Sequence, residues 1–312
     1  MGRVASIQTQ DRAGWFLVAE LGRVGDPTLL WAGDSGFFVE ARYIAVGRDR
    51  LSREVPNKLP LISARIDSPV VTQPPAVMRQ VWNHLFFLHW IEQAERLQPL
   101  LPRGLTLDYH DGKTYVGIVG FLMDSLRPKG LPAVPWLSYF RELNVRLYVR
   151  DHAGRPGVYF LSLDCDRAIA VWIARAFFSL PYRHATMSFG ATNEDFTLNC
   201  HRWGLNKGQA DYAWRPISIP QTSLPGTLEF HLLERYRFFT QRRGRLHEGR
   251  VSHTPYEASK ALFSKWSALP FAWNGLPIPN RPPDLAHYCR GVSVEAYPIR
   301  PVEASFETPW IG

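Results

Sequence analysis

Beyond residue 105 the chain keeps switching between apolar and polar residues with a period of two, in short runs closed off by Gly, Pro, Asn or Asp. That period places successive side chains on opposite faces of an extended strand. Glu142 to Arg150 alternates strictly, and Gly154 to Pro156 turns it into a second strand, Val158 to Leu163. Further strands are expected around His184–Phe189, Phe196–Arg202, Asp211–Ile217, Arg245–His253 and Val292–Tyr297. Asp111-Gly112 stands between two such runs, Leu105–His110 and Lys113–Met123, and Asp-Gly in that setting signals a hairpin. Helical stripes are few. Ile91, Ala94, Leu97 and Leu101 mark a short helix over Glu92–Leu100, stopped by Pro102 and Gly104. A second is expected over Asp166–Ser179, with Asp166 as N-cap and Ile169, Trp172, Ile173, Ala176 and Phe177 as its apolar stripe. A third spans Thr227–Phe239 with Leu228, Leu232, Leu233 and Tyr236 on one face, and a fourth lies near Glu257–Ser267. Many strands with few helices predict an α+β, mostly antiparallel β fold, barrel-like and not doubly wound.

The patterned part begins at Met78. Before it, residues 1–77 contain none of the ten histidines, carry 9 Lys+Arg against 8 Asp+Glu, and end in the linker-like Ser68-Pro69-Val70-Val71-Thr72-Gln73-Pro74-Pro75. Two readings fit: a small β-rich or disordered appendage, or sequence upstream of a true start at Met78. The composition break favours the second. The expected division is therefore 1–77, an extension, and 78–312, the main domain.

Composition excludes several classes. Hydrophobic residues make up 46% and charged residues 21%, the balance of a globular protein. No apolar run approaches the ~18–20 residues that span a bilayer, so no membrane partner is expected. The three cysteines, Cys165, Cys200 and Cys289, are widely spaced and form no CxxC pair. No disulfide framework or metal site is expected, and a cytoplasmic location fits. The net charge of +8 comes from 30 Arg and 6 Lys, but the arginines are scattered and cluster only at Arg242, Arg243 and Arg245. A nucleic-acid footprint would be a patch, so nucleic-acid binding is the weakest function class here. There is no GxGxxG after a strand, no GxxxxGK[ST] and no GxSxG, so no nucleotide cofactor is expected.

Two constellations carry candidate chemistry. On the strand Glu142-Leu143-Asn144-Val145-Arg146-Leu147-Tyr148-Val149, the residues Glu142, Asn144, Arg146 and Tyr148 share one face. They form either a solvated stripe or the polar lining of a closed sheet, where an acid and a guanidinium bind or protonate a ligand. The second is Leu180-Pro181-Tyr182-Arg183-His184, read as a junction between helix and strand that presents a hydroxyl, a fixed cation and a proton-transfer group, or else as a surface loop with a packed tyrosine. His84 and His89, five apart, would not share a helix face, and His247 and His253 share a strand face if the strand is unbroken.

The segment from Met78 to about Arg300 resembles the YqjF-like family, also called DUF2071. The stretches that carry the resemblance include Trp82-Asn-His-Leu-Phe-Phe-Leu-His-Trp90, Leu100-Leu-Pro-Arg-Gly-Leu105, Arg127-Pro-Lys-Gly-Leu-Pro132, Glu142–Val149, Ser162-Leu-Asp164, Leu180–Ala185 and Gly226-Thr-Leu-Glu229. That family is similar to the acetoacetate decarboxylase-like superfamily. The resemblance implies a closed β structure around a central cavity, with a few flanking helices. Enzymes of that superfamily carry a Pro-Lys-Lys-Leu-Ala-like motif whose lysine forms a Schiff base with a keto acid. Here the similar segment reads Pro181-Tyr182-Arg183-His184-Ala185, and a Tyr-x-x-Glu-like motif corresponds to Tyr139–Glu142. Arginine cannot be the nucleophilic amine, and tyrosine forms no imine.

Three functions follow as expectations. One is a small-molecule binder, with enzyme activity left open, in which Glu142, Tyr182 and Arg183 are the catalytic candidates and Asn144, Arg146 and His184 bind the ligand. The second is a structural or interaction protein in which the same polar stripe only stabilises the sheet. The third is nucleic-acid binding. A homo-oligomer is compatible with all three.

Overall fold

The computed structural model describes residues 74–302, apart from 136, 169–170, 172–178 and 205–206, together with 30–32 and 37–39 nearer the N-terminus. The chain divides into two units, Met1–Pro69 and Val70–Gly312. In the first, Leu30–Ala32 (β1) pairs antiparallel with Phe37–Val39 (β2). The second unit starts somewhat before the break expected at Met78. Ala76 is already buried, and the Val77 amide donates to the Ala296 carbonyl at 2.8 Å.

The second unit is one extensive sheet. Its strands are Met78–Glu92 (β3), Leu105–Leu107 (β4), Thr114–Pro128 (β5), Phe140–Asp151 (β6), Pro156–Cys165 (β7), Tyr182–Thr192 (β8) and Asp195–Arg202 (β9). Gly208–Pro216 (β10), Gln221–Thr222 (β11), Arg237–Arg242 (β12), Arg245–Ser252 (β13), Glu257–Lys265 (β14), Leu285–Ala296 (β15) and Arg300–Pro301 (β16) follow. The order is β11-β14-β10-β9-β8-β7-β12-β13-β15-β3-β5-β6-β4, with β16 beside β13. Two further pairings, β6 with β7 and β14 with β15, link strands that stand apart in that order. Among the described residues only β7–β8 and β7–β12 pair parallel. Among the described residues no helix is long and apolar enough to cross a membrane.

Both faces of the central strands are covered. On β6, Leu143, Val145, Leu147 and Val149 pack with Phe86, Leu88, Trp90, Val116 and Ile118 in one core cluster. The opposite face of the same sheet region carries Phe87, Val119, Phe121, Leu163 and Tyr182 in a second cluster. Each aliphatic side chain so buried contributes roughly 1.5–3 kcal/mol. β3 carries a bulge between Asn83 and Phe86, where His84 adopts φ 51° and meets the Tyr288 hydroxyl at 2.9 Å.

Several expected elements differ. The helix over Thr227–Phe239 is confined to Leu228–Leu233, capped by the Thr227 hydroxyl, and Tyr236 and Phe239 lie outside it. The chain leaves helical geometry at Glu234, and Arg237–Arg242 is instead drawn into the sheet between β7 and β13. The helix near Glu257–Ser267 is strand β14. Its composition favours a helix, yet burial falls on Ser259 and Ala261 with period two, because β10, β11 and β15 all pair with it. The helix over Glu92–Leu100 shrinks to Ala94–Leu97 and a 3₁₀ turn, Gln98–Leu100, and Ile91 belongs to β3. At the Asp-Gly turn both residues have positive φ, 48° and 72°, as a type I′ turn requires. The preceding strand, however, pairs with β6 and not with β5. Trp82–Trp90, to which the sequence reading assigns no element, lies in the long strand β3. The expected helix Asp166–Ser179 falls largely outside the described residues.

Candidate functional site

Strand β6 brings an acid, an amide, a guanidinium and a phenol to one face. Glu142, Asn144, Arg146 and Tyr148 are 3%, 4%, 8% and 1% exposed, so the solvated-stripe reading does not hold. The Tyr182 hydroxyl donates to Glu142 Oε2 at 2.7 Å, and Asn144 Nδ2 donates to Oε1 at 3.4 Å. Register explains the first contact. Asn144 pairs with Leu163 of β7, and Leu163 pairs with Tyr182 of β8, so the phenol reaches across from two strands away.

Burial raises the Glu142 pKa to about 7, against the lowering effect of the Tyr182 and Asn144 hydrogen bonds; the Asp164 carboxylate adds a smaller push upward. Burial first, and then the Glu142 carboxylate, hold the Tyr182 phenol well above its ordinary value. The phenol therefore stays a hydrogen-bond donor, while Glu142 changes charge near neutral pH.

The same face continues into a second group. Arg146 Nε donates to the Tyr148 hydroxyl at 3.1 Å, and Nη2 donates to the Leu232 carbonyl at 2.9 Å. The guanidinium also lies 5.5 Å from the Phe87 ring centroid. Arg146 can only donate, so the Tyr148 hydroxyl accepts from it and gives its own proton to His89 Nε2 at 2.7 Å. His89 then carries its proton on Nδ1, which is buried without a hydrogen-bond partner among the described residues. Burial, and next Arg146, hold His89 well below its ordinary pKa, in keeping with a neutral ring. Among the described residues, Asn144 Oδ1 is likewise buried without a partner and Arg146 Nη1 makes no hydrogen bond.

Arg183 and His184 do not join this group. Both are exposed. Tyr182 opens a strand instead of closing a loop, so its neighbour Arg183 points to the opposite face, next to Asp164. His184 shares the parity of Tyr182 but is exposed, while the next buried positions of β8, Ala185 and Met187, have the opposite parity. His84 and His89 take opposite environments on β3, half-exposed and fully buried. His253 lies just past β13, its ring 4.7 Å from Tyr236 and 4.5 Å from Tyr256.

Sequence reasoning missed the buried pair Asp164–Arg202. Arg202 Nε donates to Asp164 Oδ1 at 2.7 Å, Nη2 reaches Ser162 Oγ at 2.9 Å, and the guanidinium covers Trp273 at 4.4 Å. The available signal was the parity of Ser162 and Asp164 on an otherwise apolar strand. It also missed Asp108, which takes Arg150 at 2.6 Å and Arg235 at 2.7 Å and so ties the end of the helix Leu228–Leu233 to β6. All five described lysines, Lys113, Lys129, Lys207, Lys260 and Lys265, are exposed; Lys58 lies outside the described residues.

Comparison with known proteins gives the family and the fold. The sequence profile of DUF2071, described as an uncharacterized conserved protein, matches residues 79–293. The chain belongs to the DUF2071 family. It is 34% identical over 224 residues to the uncharacterized protein YqjF of Bacillus subtilis, covering 72% of this chain and 92% of that protein. Solved structures share the fold. An acetoacetate decarboxylase-like enzyme from Sphingomonas wittichii superposes with TM-score 0.51 at 14% identity, covering 74% of this chain and 95% of its own. Acetoacetate decarboxylase from Legionella pneumophila gives 0.52 at 13% identity, covering 80% and 98%. The enduracididine biosynthesis enzyme MppR, bound to a condensation product of pyruvate and imidazole 4-carboxaldehyde, gives 0.53 at 11%, covering 75% and 92%. At such identities the likeness fixes the α+β, acetoacetate decarboxylase-like fold of this DUF2071 chain and leaves its chemistry to its own residues.

Proposed function

We propose that this DUF2071 protein binds a small carboxylate or keto compound against the polar face of β6, in a cavity enclosed where the β6–β7 and β14–β15 pairings turn the sheet back on itself. The observation that carries the reading is the buried Glu142–Tyr182 contact at 2.7 Å, with Glu142 titrating at about 7. A carboxyl poised there takes or gives a proton at working pH, which is what general acid–base chemistry at a carbonyl carbon or enol requires. Arg146 Nη1 would hold a carboxylate or enolate oxygen, and Asn144 Oδ1 would accept from a ligand hydroxyl. A Schiff base is not part of the proposal. An imine-forming lysine needs an apolar pocket or a cationic neighbour to shed its proton, and the described lysines all stand in solvent.

A second reading has its own observation. Arg146 and Tyr148 already hold the Leu232 carbonyl and His89, so that half of the face also serves as an internal scaffold. Thermal unfolding of the full chain against pyruvate, acetoacetate, lactate and related acids separates the two. Ligand at about 100 times its dissociation constant should stabilise by roughly 2.7 kcal/mol. The shift should vanish in Glu142→Gln, and borohydride should leave no covalent adduct. A borohydride-trapped adduct would establish an imine instead. No shift across the panel would leave the scaffold reading.

A further inference from the structure

Along the same sheet face as Glu142, but reached only through the register Asn144–Val119–Phe87–His287–Lys260, a cavity of about 240 Å3 lies between β11, β14, β15 and the helix Leu228–Leu233. None of its lining residues belongs to the Glu142–Tyr182 group. Lys260 of β14 and His287 of β15 are paired across the antiparallel ladder, so their side chains stand side by side on one face. The backbone at Lys260 is fixed on both sides: its amide donates to Ser218 Oγ at 2.8 Å, and its carbonyl accepts from the Ile217 amide at 2.8 Å. Glu229 and Leu233 of the helix and Ala258 of β14 also line it.

Three polar side chains of this cavity have no hydrogen-bond or ion-pair partner among the described residues. The Lys260 ammonium makes no ion pair among the described residues, and neither does the Glu229 carboxylate. His287 is 5% exposed, yet neither ring nitrogen is hydrogen-bonded among the described residues, and Nδ1 is fully buried. Burial lowers the His287 pKa, opposed by Glu229 and reinforced by Lys260, so the ring offers one donor and one acceptor. Buried polar nitrogens without partners are uncommon and mark places where a water or ligand belongs. A simple anion would be repelled by Glu229 and a simple cation by Lys260; unpaired charges of both signs favour a molecule that bears both. The volume lies below the ~300–1,000 Å3 of pockets for drug-sized ligands, so the occupant is small.

We infer that this cavity binds a small zwitterion of the α-amino-acid class, with its carboxylate on Lys260, its ammonium on Glu229 and a polar atom on His287. The site is separate from the one proposed above and stands whether or not that one binds keto acids.

Calorimetric titration of the full chain with glycine, L-alanine, L-serine, L-aspartate and L-glutamate tests it. At least one should bind, and its N-acetyl and carboxamide forms should each bind at least roughly tenfold more weakly, the loss of a charge-assisted contact. Lys260→Gln should erase the preference for acid over amide. Glu229→Gln should erase the preference for free amine over N-acetyl. Lys260 is exposed and Glu229 half-buried, so both variants should keep the unfolding midpoint. The inference is overturned if no amino acid gives heat, or if both variants bind as well as the parent with the same preferences. It is also overturned if Glu142→Gln abolishes binding, which would place the ligand at the Glu142–Tyr182 group, several strands away along the same face.

Discussion

Glu142 is ionised in the unfolded chain above its ordinary pKa of 4.5 and keeps its proton in the fold up to about 7. Between those values the folded protein holds a proton that the unfolded chain has lost, so stability falls as pH rises through the window and levels off above it. A displacement of that size corresponds to about 3 kcal/mol. Glutamine carries no charge to desolvate. Glu142→Gln should therefore gain stability relative to the parent as pH rises, approaching about 3 kcal/mol above neutrality and little near pH 4. Urea unfolding across that range checks this, and parallel curves for the two proteins would contradict it. The neighbouring phenol matters in the opposite sense. Tyr182→Phe removes a hydrogen bond to the ionised carboxylate, so the Glu142 pKa should rise further, seen as a shift of the carboxyl titration by NMR.

At the scale of elements, the sheet is built by close approach. Gly120 of β5 faces Phe86 across the ladder, and a Cβ there would sit 2.4 Å and 2.6 Å from that ring and 2.8 Å from Leu198. Phe86 has no exit, because Tyr212, Trp214 and Phe263 surround it at 4.8, 4.9 and 5.6 Å. Gly120→Ala should cost about 1–3 kcal/mol by overpacking, measurable as a lower denaturation midpoint with unchanged m-value. Strand β14 shows why local patterns failed. Glu257-Ala-Ser-Lys-Ala-Leu-Phe-Ser-Lys has helix-favouring composition, but three strands offer it hydrogen bonds and the contacts outweigh the propensity. The Asp111-Gly112 turn shows the converse: its local geometry was legible, while the pairing of the strand before it was decided by β6.

Across the whole molecule, the strand that begins the second unit pairs with one near its end, from Met78↔Ala296 to His89↔Leu285. β15 also joins β13 and β14. Such long-range closure makes folding slow and dependent on the late segments. A chain ending before Leu285 should lose the cooperative thermal transition, since β3 would be left with an unpaired edge; circular dichroism melts check it, and an unaltered transition would show that the sheet completes without β15.

The sequence by itself determined the family, through the stretches that carry the resemblance, and it determined the strand-rich class, most strands from β5 to β13, and the shared face of Glu142, Asn144 and Arg146, because these last rest on a period of two that the backbone obeys locally. It could not tell a solvated stripe from a buried one, since a strand covered on both sides and one covered on a single side can alternate alike. Only the tertiary structure placed Tyr182 against Glu142, turned Arg183 to the far face, joined Asp164 to Arg202 and set Lys260 beside His287. Each of those follows from strand register, which is fixed by hydrogen bonds between segments far apart in the chain and leaves no mark in any one of them.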